Sequence, residues 1–272
     1  MKIRDLLVNQ REAVENFCEQ KAQYAYLGDG VGLCRVLGKY MMYVKAADTS
    51  VAPHLIMNGY WESWITQALL RLKPGTTCVD IGANHGYFTL VLADLCGGKV
   101  FAFEPQAELI RLISMSADVS GFRDKVITLQ SAVGAACGWV KLVSVKGEPN
   151  NLGAVWCEKL DLAADQYVEV PPSGALVVTL DDAIQEEIGF IKMDAEGFEP
   201  QIWKGMQRHL ESRPAILMEF TPGRYEDASG FLDEIEKCYT LREVSDSGSI
   251  VPMSREKALG ASGFVMLWLE AD

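Results

Sequence analysis

From residue 76 onward, short apolar runs alternate with amphipathic stretches along the chain. The runs predict strands, and the stretches predict helices because their apolar residues recur at helical spacing. In order, the first five segments are TTCVDIG, GYFTLVLADLC, KVFAFEP, QAELIRLISMSADV and KVITLQSAV. Strands and helices that alternate with short connections are typical of a parallel sheet with crossover helices. The pattern therefore predicts an α/β domain.

The alternation resumes after ALVVTLDDAI, residues 175–184, and continues to the last strands. The strands are GFIKMD, PAILMEF, YTLREVS and SGFVMLWLE, and the helices are EPQIWKGMQRHL and GFLDEIEKCY. Between the two alternating regions, residues 137–175 are less regular, with GWVKLVSVK typical of a strand and GEPNNLG of a loop. Pro171 and Pro172 indicate a rigid exit from this segment.

Residues 1–60 carry a different pattern, which predicts an N-terminal cap ahead of a main domain at residues 61–272. Residues 2–26 have apolar positions at helical spacing and predict one helix. LCRVLGKYMMYVKAAD then predicts two short strands, which form a hairpin. NGYWESWITQALLRL predicts a further helix that Pro74 ends.

The 272-residue chain has a formal net charge of −12. A protein that follows a phosphate backbone presents a concentrated basic surface, so nucleic acid and anionic membranes are not expected as partners. Seven scattered cysteines without a C-x-x-C pair favour reduced thiols over a disulfide framework. A charged start and the lack of a run of about 20 apolar residues predict a cytoplasmic protein. The oligomeric state stays open, a homodimer included.

The strand TCVDIG runs directly into ANHGYFTL, which places Gly82, Asn84 and Gly86 in a strand-to-helix turn. Glycine lets the backbone approach a ligand closely because no Cβ intervenes. A dinucleotide fingerprint needs glycines in the pattern G-x-G-x-x-G. Counted from Gly82, Asn84 and Tyr87 occupy its second and third glycine positions. The turn is therefore poorly suited to a pyrophosphate.

Two carboxylates accompany this turn. Glu104 ends the next strand, FAFEP, 22 residues after Gly82, where nucleotide-binding α/β folds hold the ribose hydroxyls. Asp80 lies inside the first strand. A ligand that faces both carboxylates is tolerated better as a cation than as a diphosphate, which favours S-adenosylmethionine over NAD. The alternative is that the glycines only shape a turn and that Asp80 is a structural carboxylate.

Lys192, Asp194 and Glu196 recur at a spacing of two in IKMDAEGFE. In an extended chain their side chains would point to one side, and a buried strand rarely carries three ionisable groups on one face. Ligands of open α/β sheets bind beyond the carboxyl ends of the strands. Asp194 and Glu196 are therefore predicted to lie at such an end, as is Glu219 in PAILMEF.

Four segments resemble the FkbM family of S-adenosylmethionine-dependent methyltransferases: VDIGANHGYFTL, FAFEP, TLDDAI and IKMDAEGFEPQIWKGM. The similarity covers roughly residues 33–269. It implies a Rossmann-like class I methyltransferase fold, with a mostly parallel seven-stranded sheet, one antiparallel strand and helices on both faces. It also implies O-methylation of a hydroxyl on a small or medium natural product of the polyketide, peptide or sugar type.

The resemblance also implies which residues bind the cofactor. Glu104 would hold the ribose, and Ser131 and Ala132, which end the third strand, would lie near the adenine. Residues just before a class I fold often cover the cofactor, so Tyr60, Trp61 and Glu62 would contact its methionine end. The alternative is that Trp61 and Trp64 only pack on an amphipathic helix. At His85 the family usually has an aliphatic residue, so the chain departs from the pattern there. The cofactor loop would consist of Asp80, Gly82, Ala83, Asn84, Gly86 and Tyr87.

Methyl transfer from a sulfonium to an alcohol needs an aligned acceptor oxygen and a group that takes its proton. Asp194 is the first candidate for a catalytic or substrate-positioning group, because its strand is expected nearest the methyl group. Glu196 follows it into the loop, and Lys192 is expected to pair with a carboxylate. The alternatives are an ion network that only orders the loop and a divalent metal on Asp194, Glu196 and Glu219. The metal is not favoured, because no clear additional ligand is present.

The three histidines receive different predictions. His85 is a second candidate base, because imidazole titrates near neutrality and the residue sits in the cofactor loop. His54 lies in the cap segment and is a further candidate to reach the pocket. His209 is predicted to be a surface residue.

The acceptor pocket is predicted to include Asn150, Asn151 and Trp156 from the irregular segment. Three other functions stay open. A nicotinamide-dependent oxidoreductase is opposed by the missing fingerprint glycines, and a non-catalytic domain that binds a partner protein is opposed by the intact cofactor loop. RNA methylation is opposed by the net charge of −12.

Overall fold

The computed structural model describes residues 2–145, 148–156 and 167–271, and for 143–145, 148–156 and 167–173 it describes the backbone. The chain divides into two compact units. The first consists of Met1–Leu129 and Val244–Ile250, and the second of Gln130–Glu243 and Val251–Asp272. In the part of the chain that is described, no helix is long and apolar enough to cross a bilayer.

The first unit begins with two helices and an antiparallel three-stranded sheet, followed by three parallel strands with helices after the first two. Its helices are α1 (Ile3–Leu7), α2 (Arg11–Lys21), α3 (Ala52–Met57), α4 (Ser63–Ala68), α5 (Tyr87–Cys96) and α6 (Ala107–Val119). Its strands are β1 (Tyr24–Gly28), β2 (Val31–Val36), β3 (Tyr40–Lys45), β4 (Cys78–Ile81), β5 (Val100–Phe103) and β6 (Val126–Leu129).

After β6 the chain forms a four-stranded sheet and then returns to strand–helix alternation. The strands are β7 (Ala132–Val133), β8 (Gly138–Val145), β9 (Glu148–Trp156), β10 (Tyr167–Val178), β11 (Phe190–Met193), β12 (Ala215–Phe220), β13 (Arg242–Val244), β14 (Ile250–Pro252) and β15 (Val265–Leu269). The helices are α7 (Leu180–Ala183), α8 (Glu199–Lys204), α9 (Gln207–Glu211), α10 (Ala228–Glu236) and α11 (Arg255–Leu259). Short 3-10 helices at Leu69–Arg71 and Pro222–Arg224 complete the described elements.

The large sheet has eight strands and is mostly parallel. In the first unit its order is β4-β5-β6, with all neighbours parallel. In the second unit its order is β11-β12-β15-β13, with β14 beyond β13, and β15 runs antiparallel to both of its neighbours. The predicted mostly parallel α/β architecture is confirmed, with β15 as an antiparallel strand, and β14 adds an edge strand to the seven that the resemblance implies.

The helix predicted over residues 2–26 is wrong in its extent, because two helices and a strand occupy this segment. Asn9 separates α1 from α2. Its side-chain Nδ2 donates to the carbonyl oxygens of Asp5 and Leu6 at 2.9 and 2.8 Å. These bonds satisfy carbonyl groups that a helix leaves without partners at its end, so α1 stops there.

The segment 137–175 is more regular than the sequence pattern predicts. It contributes β8, β9 and much of β10, and the predicted GEPNNLG loop lies largely within β9. Pro171 and Pro172 lie within β10, where the pairing with β8 shifts register between Glu169 and Gly174. Proline lacks an N–H for the ladder, which is why a bulge accommodates it better than a regular strand.

The helix predicted over EPQIWKGMQRHL is split at Gly205 into α8 and α9. A Cβ on Gly205 would overlap the carbonyl oxygen of Gly134, and the Gly205 carbonyl accepts the backbone N–H of Asp181 at 3.1 Å. The break therefore follows from contacts with two distant segments of the second unit, which the local sequence does not contain.

We expect Gly205→Ala to destabilise the fold by about 1–3 kcal/mol, because a backbone carbonyl cannot move aside as a flexible side chain can. Urea unfolding measures the loss. Gly263→Ala is the matched control, since its Cβ would meet no atom within 4 Å, and we expect a change below about 0.5 kcal/mol. Equal stability of the two variants would contradict the packing assigned to Gly205.

Candidate active site

The cofactor loop, residues 82–86, connects buried β4 to α5 in the first unit. Three of its residues have a positive φ: Gly82 at 74°, Asn84 at 52° and Gly86 at 85°. Glycine and asparagine are the residues that adopt this backbone conformation most readily. A Cβ on Gly86 would also lie 2.9 Å from Ile113 Cγ1, so the turn has no room for a side chain there. The tight turn that the sequence predicts is therefore present.

Glu104 follows β5 and is buried beside this loop. Its Oε2 accepts the backbone N–H of Asn84 at 3.0 Å, and its Oε1 accepts that of Gln106 at 3.0 Å. Burial raises the pKa of the Glu104 carboxyl to about 7, against the lowering effect of these hydrogen bonds. Each carboxylate oxygen has two lone pairs, so Glu104 retains acceptor sites for a ligand.

Asp80 is fully buried in β4, and its Oδ2 accepts the hydroxyl of Thr89 on α5 at 2.6 Å. Its negative charge contributes to the raised pKa of Glu104. A buried carboxylate whose pKa is raised by a second carboxylate favours a positively charged ligand over an anionic one. This electrostatic character is what the sequence predicts for the site.

His85 is only 1% exposed and lies within the first unit rather than at its surface. Its Nδ1 is 2.6 Å from Asn84 Oδ1 and 3.8 Å from Asp48 Oδ2. Burial lowers the pKa of the His85 imidazole, while the Asp48 carboxylate opposes this effect. A neutral ring that donates from Nδ1 to Asn84 supports the left-handed turn at that residue. The role of His85 as a base stays a prediction.

Three further residues predicted to bind the cofactor lie in the first unit. Ala83 is buried, and its N–H donates to the carbonyl of Phe103 at 3.0 Å. Tyr87 is buried, with its hydroxyl 3.1 Å from Thr66 Oγ1. Glu62 precedes α4 with a φ of 41°, and its carbonyl accepts the N–H of Thr66 at 3.0 Å. These contacts order the turn and the start of α4.

Ser131 and Ala132, predicted near the adenine, belong to the second unit and are both buried. They do not end the third strand of the large sheet, because β6 stops at Leu129. Ala132 instead begins β7, which pairs with β10. Their contact with a cofactor stays a prediction.

The strand-end cluster, formed by Lys192, Asp194, Glu196, Glu219 and Arg224, lies in the second unit. Lys192 is buried in β11, and its Nζ is 3.2 Å from Asp194 Oδ2 just beyond the strand. The predicted pairing of these two residues is confirmed. The buried ammonium holds the Asp194 carboxylate in place at the carboxyl end of β11.

Glu196 does not continue the face that Lys192 and Asp194 share, because β11 ends at Met193. Its backbone is left-handed, with a φ of 55°, and Gly197 follows with a φ of 102°. A Glu196 carboxylate oxygen accepts from Arg224 Nη1. The spacing of two in the sequence therefore does not place three charges along one extended strand.

Glu199, which the sequence reasoning did not single out, holds this turn together. Its Oε1 accepts the N–H of Ala195 at 2.7 Å, and its Oε2 accepts that of Gly197 at 3.0 Å. Burial raises the pKa of the Glu199 carboxyl to about 7. An acidic residue in the first turn of a helix is the sequence signal that indicates such a role.

Glu219 and Arg224 complete the strand-end cluster. Glu219 Oε1 accepts from Thr221 Oγ1 at 3.0 Å and lies 3.4 Å from Arg224 Nη1. Burial raises the pKa of the Glu219 carboxyl to about 8, and the charges of Asp194 and Glu196 add to the effect. Arg224 thus bridges two carboxylates that lie on different segments of the second unit.

The remaining site predictions have mixed outcomes. His54 packs its ring 5.0 Å from that of Trp61. His209 is buried, with Nε2 3.3 Å from the Leu180 carbonyl, so the prediction of a surface position is wrong. It packs inward because α7 contacts α9. The side chains of the predicted acceptor-pocket residues lie outside the described residues: Asn150, Asn151 and Trp156.

A divalent metal was the alternative for the carboxylates of the strand-end cluster. Among the residues that the structure describes, no group of three or more His, Cys, Asp or Glu side chains has the geometry to hold a metal ion. Arg224 and Lys192 instead occupy positions next to these carboxylates. Independence from metal stays a prediction.

The strand order and directions, together with the loop after β4, are those of the class I methyltransferase fold. Residues 80–243, more than half of the chain, match the family model described as the methyltransferase FkbM domain. The chain therefore belongs to the FkbM methyltransferase family. No curated protein matches it.

Solved structures with similar folds include methyltransferase FkbM from Methylobacillus flagellatus KT, at 18% identity and a TM-score of 0.49 over 74% of this chain and 45% of that one. Precorrin-6y C5,15-methyltransferase from Geobacter metallireducens is 14% identical, with a TM-score of 0.44 over 80% and 92% of the two chains. SMU.1697c from Streptococcus mutans, in complex with SAH, is 10% identical, with a TM-score of 0.44 over 78% and 95%. The chain spans less than half the length of the Methylobacillus protein.

Proposed function

We propose that the protein is an S-adenosylmethionine-dependent O-methyltransferase that acts on a hydroxyl of a small or medium natural product of the polyketide, peptide or sugar type. The observation that carries this proposal is the pair of buried carboxylates, Asp80 and Glu104, beside a turn with three positive φ angles. A pyrophosphate would meet two negative charges in this place, whereas a cationic cofactor would relieve their repulsion.

The cofactor supplies an electrophilic methyl group when it is bound. Glu104 would hold the ribose hydroxyls with the lone pairs that its two backbone donors leave unused. The backbone of residues 82–86 would approach the cofactor, because Gly82 and Gly86 carry no side chain. Asp80 would keep the surroundings negative while its own position is fixed by Thr89.

The strand-end cluster would bind and orient the acceptor. Asp194, held by the Lys192 ammonium, would receive a hydrogen bond from a polar group next to the reacting hydroxyl of the acceptor and so orient that hydroxyl. Glu196 would line the entrance, because its carboxylate is partly exposed and paired with Arg224. Lys192 is a positioning residue, since it is buried and acts through Asp194.

The proposed partners and cellular compartment rest on the composition of the chain. The net charge of −12 favours a small-molecule acceptor over a nucleic acid, and we place the enzyme in the cytoplasm without a requirement for a divalent metal. A homodimer is compatible with these proposals, since nothing in the proposed chemistry depends on the oligomeric state.

The affinity for S-adenosylhomocysteine (SAH) is expected to rise with pH between about 5 and 7 and to level off above. The ligand needs the ionised Glu104, whose pKa in the free protein is about 7, so protonation competes with binding below that value. The affinity should fall by up to about tenfold per pH unit below pH 7. Calorimetric titration measures it, and Glu104→Gln should lose the slope. A pH-independent affinity in the wild type would contradict this assignment.

O-methylation is tested with S-adenosylmethionine that carries a ¹³C-labelled methyl group and a panel of hydroxylated polyketide, peptide and sugar acceptors. The carbon chemical shift of the transferred methyl distinguishes a methoxy product from an N-methyl or C-methyl product. A methoxy signal is expected. Only N-methyl or C-methyl products would overturn the choice of oxygen as the acceptor atom and leave the methyltransferase class standing.

A further inference from the structure

Glu219 lies near the end of β12, and Asp194 directly follows the neighbouring β11. In the parallel pairing of β11 with β12, Met193 lies opposite Met218, so the next residues on the two strands are Asp194 and Glu219. Side chains at equal positions of paired parallel strands point to the same face of a sheet. Glu219 therefore stands beside the residue that would orient the acceptor hydroxyl.

The two oxygens of Glu219 have different surroundings. Its Oε1 accepts from Thr221 Oγ1 at 3.0 Å and is 3.4 Å from Arg224 Nη1. Its Oε2 has no hydrogen-bond partner among the residues that the structure describes, and the side chain keeps 15% of its surface exposed. One oxygen is thus fixed by the protein, and the other is open to a ligand.

The charges around Glu219 come from two segments. From the end of β11 and the turn after it, Asp194, Glu196 and Glu199 raise its pKa, which burial raises most, while Lys192 is paired with Asp194. From the segment after β12, Arg224 and the hydroxyls of Thr221 and Tyr225 lie close by, with Tyr225 donating to the Glu219 carbonyl at 3.2 Å. A carboxylate with a pKa of about 8 is a stronger base than an ordinary glutamate and suits proton transfer near neutral pH.

A cavity of about 550 Å³ in the second unit adjoins the strand-end cluster. Its lining includes Gly197 and Arg224 together with the aromatic residues Trp203 and Phe231. Its volume is that of a small-molecule site. Of the strand-end cluster, Arg224 lines this cavity, and its Nη1 also lies 3.4 Å from Glu219 Oε1.

We propose that Glu219 is the catalytic base of the O-methylation, that Arg224 sets its basicity, and that the acceptor enters through this cavity. The inference rests on the proposed function. The acceptor oxygen forms a bond to the transferred methyl carbon, and the electrons of the broken carbon–sulfur bond stay on sulfur. The hydroxyl proton moves to Oε2 of the ionised Glu219. Charge and atoms balance without a further reactant.

An infrared pH titration of the protein without ligand reads the ionisation of Glu219 directly. The difference between wild type and Glu219→Gln should show one carboxyl that ionises with a midpoint near pH 8. The same difference measured in the Arg224→Gln background should have a higher midpoint, because the variant lacks the cation that stabilises the carboxylate. A midpoint near that of an exposed glutamate, or one that Arg224→Gln does not move, would overturn the proposal.

The second readout is the rate of methyl transfer to an acceptor that the wild-type protein methylates. With saturating S-adenosylmethionine, the wild-type kcat/KM for the acceptor should rise with pH and level off as Glu219 becomes ionised. Glu219→Gln should lower it by roughly 100-fold or more and remove the rise. Glu219→Asp should restore a rise, whereas Glu211→Gln, an exposed site on α9, should match the wild type.

Full activity of Glu219→Gln would overturn the inference and leave O-methylation intact. Absence of O-methylation by the wild type would overturn the proposed function, while the infrared titration would still test Glu219.

Discussion

Replacement of Glu104 with alanine is expected to weaken SAH binding by at least about 100-fold. Each hydrogen bond from a ribose hydroxyl to an ionised carboxylate contributes about 1.5–3 kcal/mol, and the variant loses two of them. It also removes the acceptor of the Asn84 N–H, which helps to fix the left-handed turn of the cofactor loop. Isothermal titration calorimetry at a pH above 7 measures the loss with the wild-type Glu104 ionised.

Glu108→Gln is the matched control for this experiment. Glu108 lies four residues away on α6, where its carboxylate is partly exposed and pairs with Lys45 at 2.8 Å. Exposed ion pairs contribute little, so the SAH affinity of this variant should stay within about twofold of the wild type. If Glu104→Ala bound SAH as tightly as Glu108→Gln, the ribose would not lie on Glu104.

Asp194→Asn is expected to slow methyl transfer by roughly 100-fold or more while SAH affinity stays within about twofold. An amide is a poorer acceptor for the hydrogen bond that orients the substrate and loses its attraction to Lys192. Turnover of the acceptor that the wild type methylates is compared with calorimetric SAH affinity of the same preparation. The split between the two measurements separates acceptor positioning from cofactor binding.

Glu187→Gln serves as the control for Asp194, because Glu187 is an exposed acidic residue between α7 and β11. Its turnover should equal that of the wild type. Thermal unfolding of Asp194→Asn without ligand shows whether the buried Lys192 tolerates the change. Unchanged turnover in a folded Asp194→Asn would remove Asp194 from the chemistry.

The sequence predicts the cofactor loop well because the loop is a local structure. A buried strand, a turn with Gly82 and Gly86, and a helix follow one another within 19 residues, so periodicity and backbone preferences are sufficient. The apolar runs also predict the strand-end positions of Asp194 and Glu219, because Asp194 directly follows one run and Glu219 lies at the end of another.

Contacts between distant segments account for what the sequence does not predict. Arg224 reaches back 28 residues to Glu196, and this pairing holds a side chain on a left-handed backbone. Gly205 ends α8 because its neighbour in space is Gly134. His209 is buried because α9 packs on α7. No window of sequence contains both partners of any of these contacts.

Family membership establishes the reaction class but neither the acceptor atom nor the roles of the site residues. It establishes a methyltransferase, whereas the choice of oxygen as acceptor atom and the roles of Asp194 and Glu219 are proposals that the variants above test. A pocket selects its acceptor by shape and charge, and those properties arise from segments that are far apart in the chain. A search for the acceptor should therefore begin with the cavity that Arg224 lines.

The most direct test of the account is the thermal unfolding of the protein with SAH beside NAD. A ligand present at 100 times its dissociation constant should stabilise the folded protein by about 2.7 kcal/mol. We predict that SAH raises the unfolding temperature and that NAD at the same concentration leaves it unchanged. Stabilisation by NAD without stabilisation by SAH would contradict the central claim that Asp80, Glu104 and the cofactor loop form a site for S-adenosylmethionine.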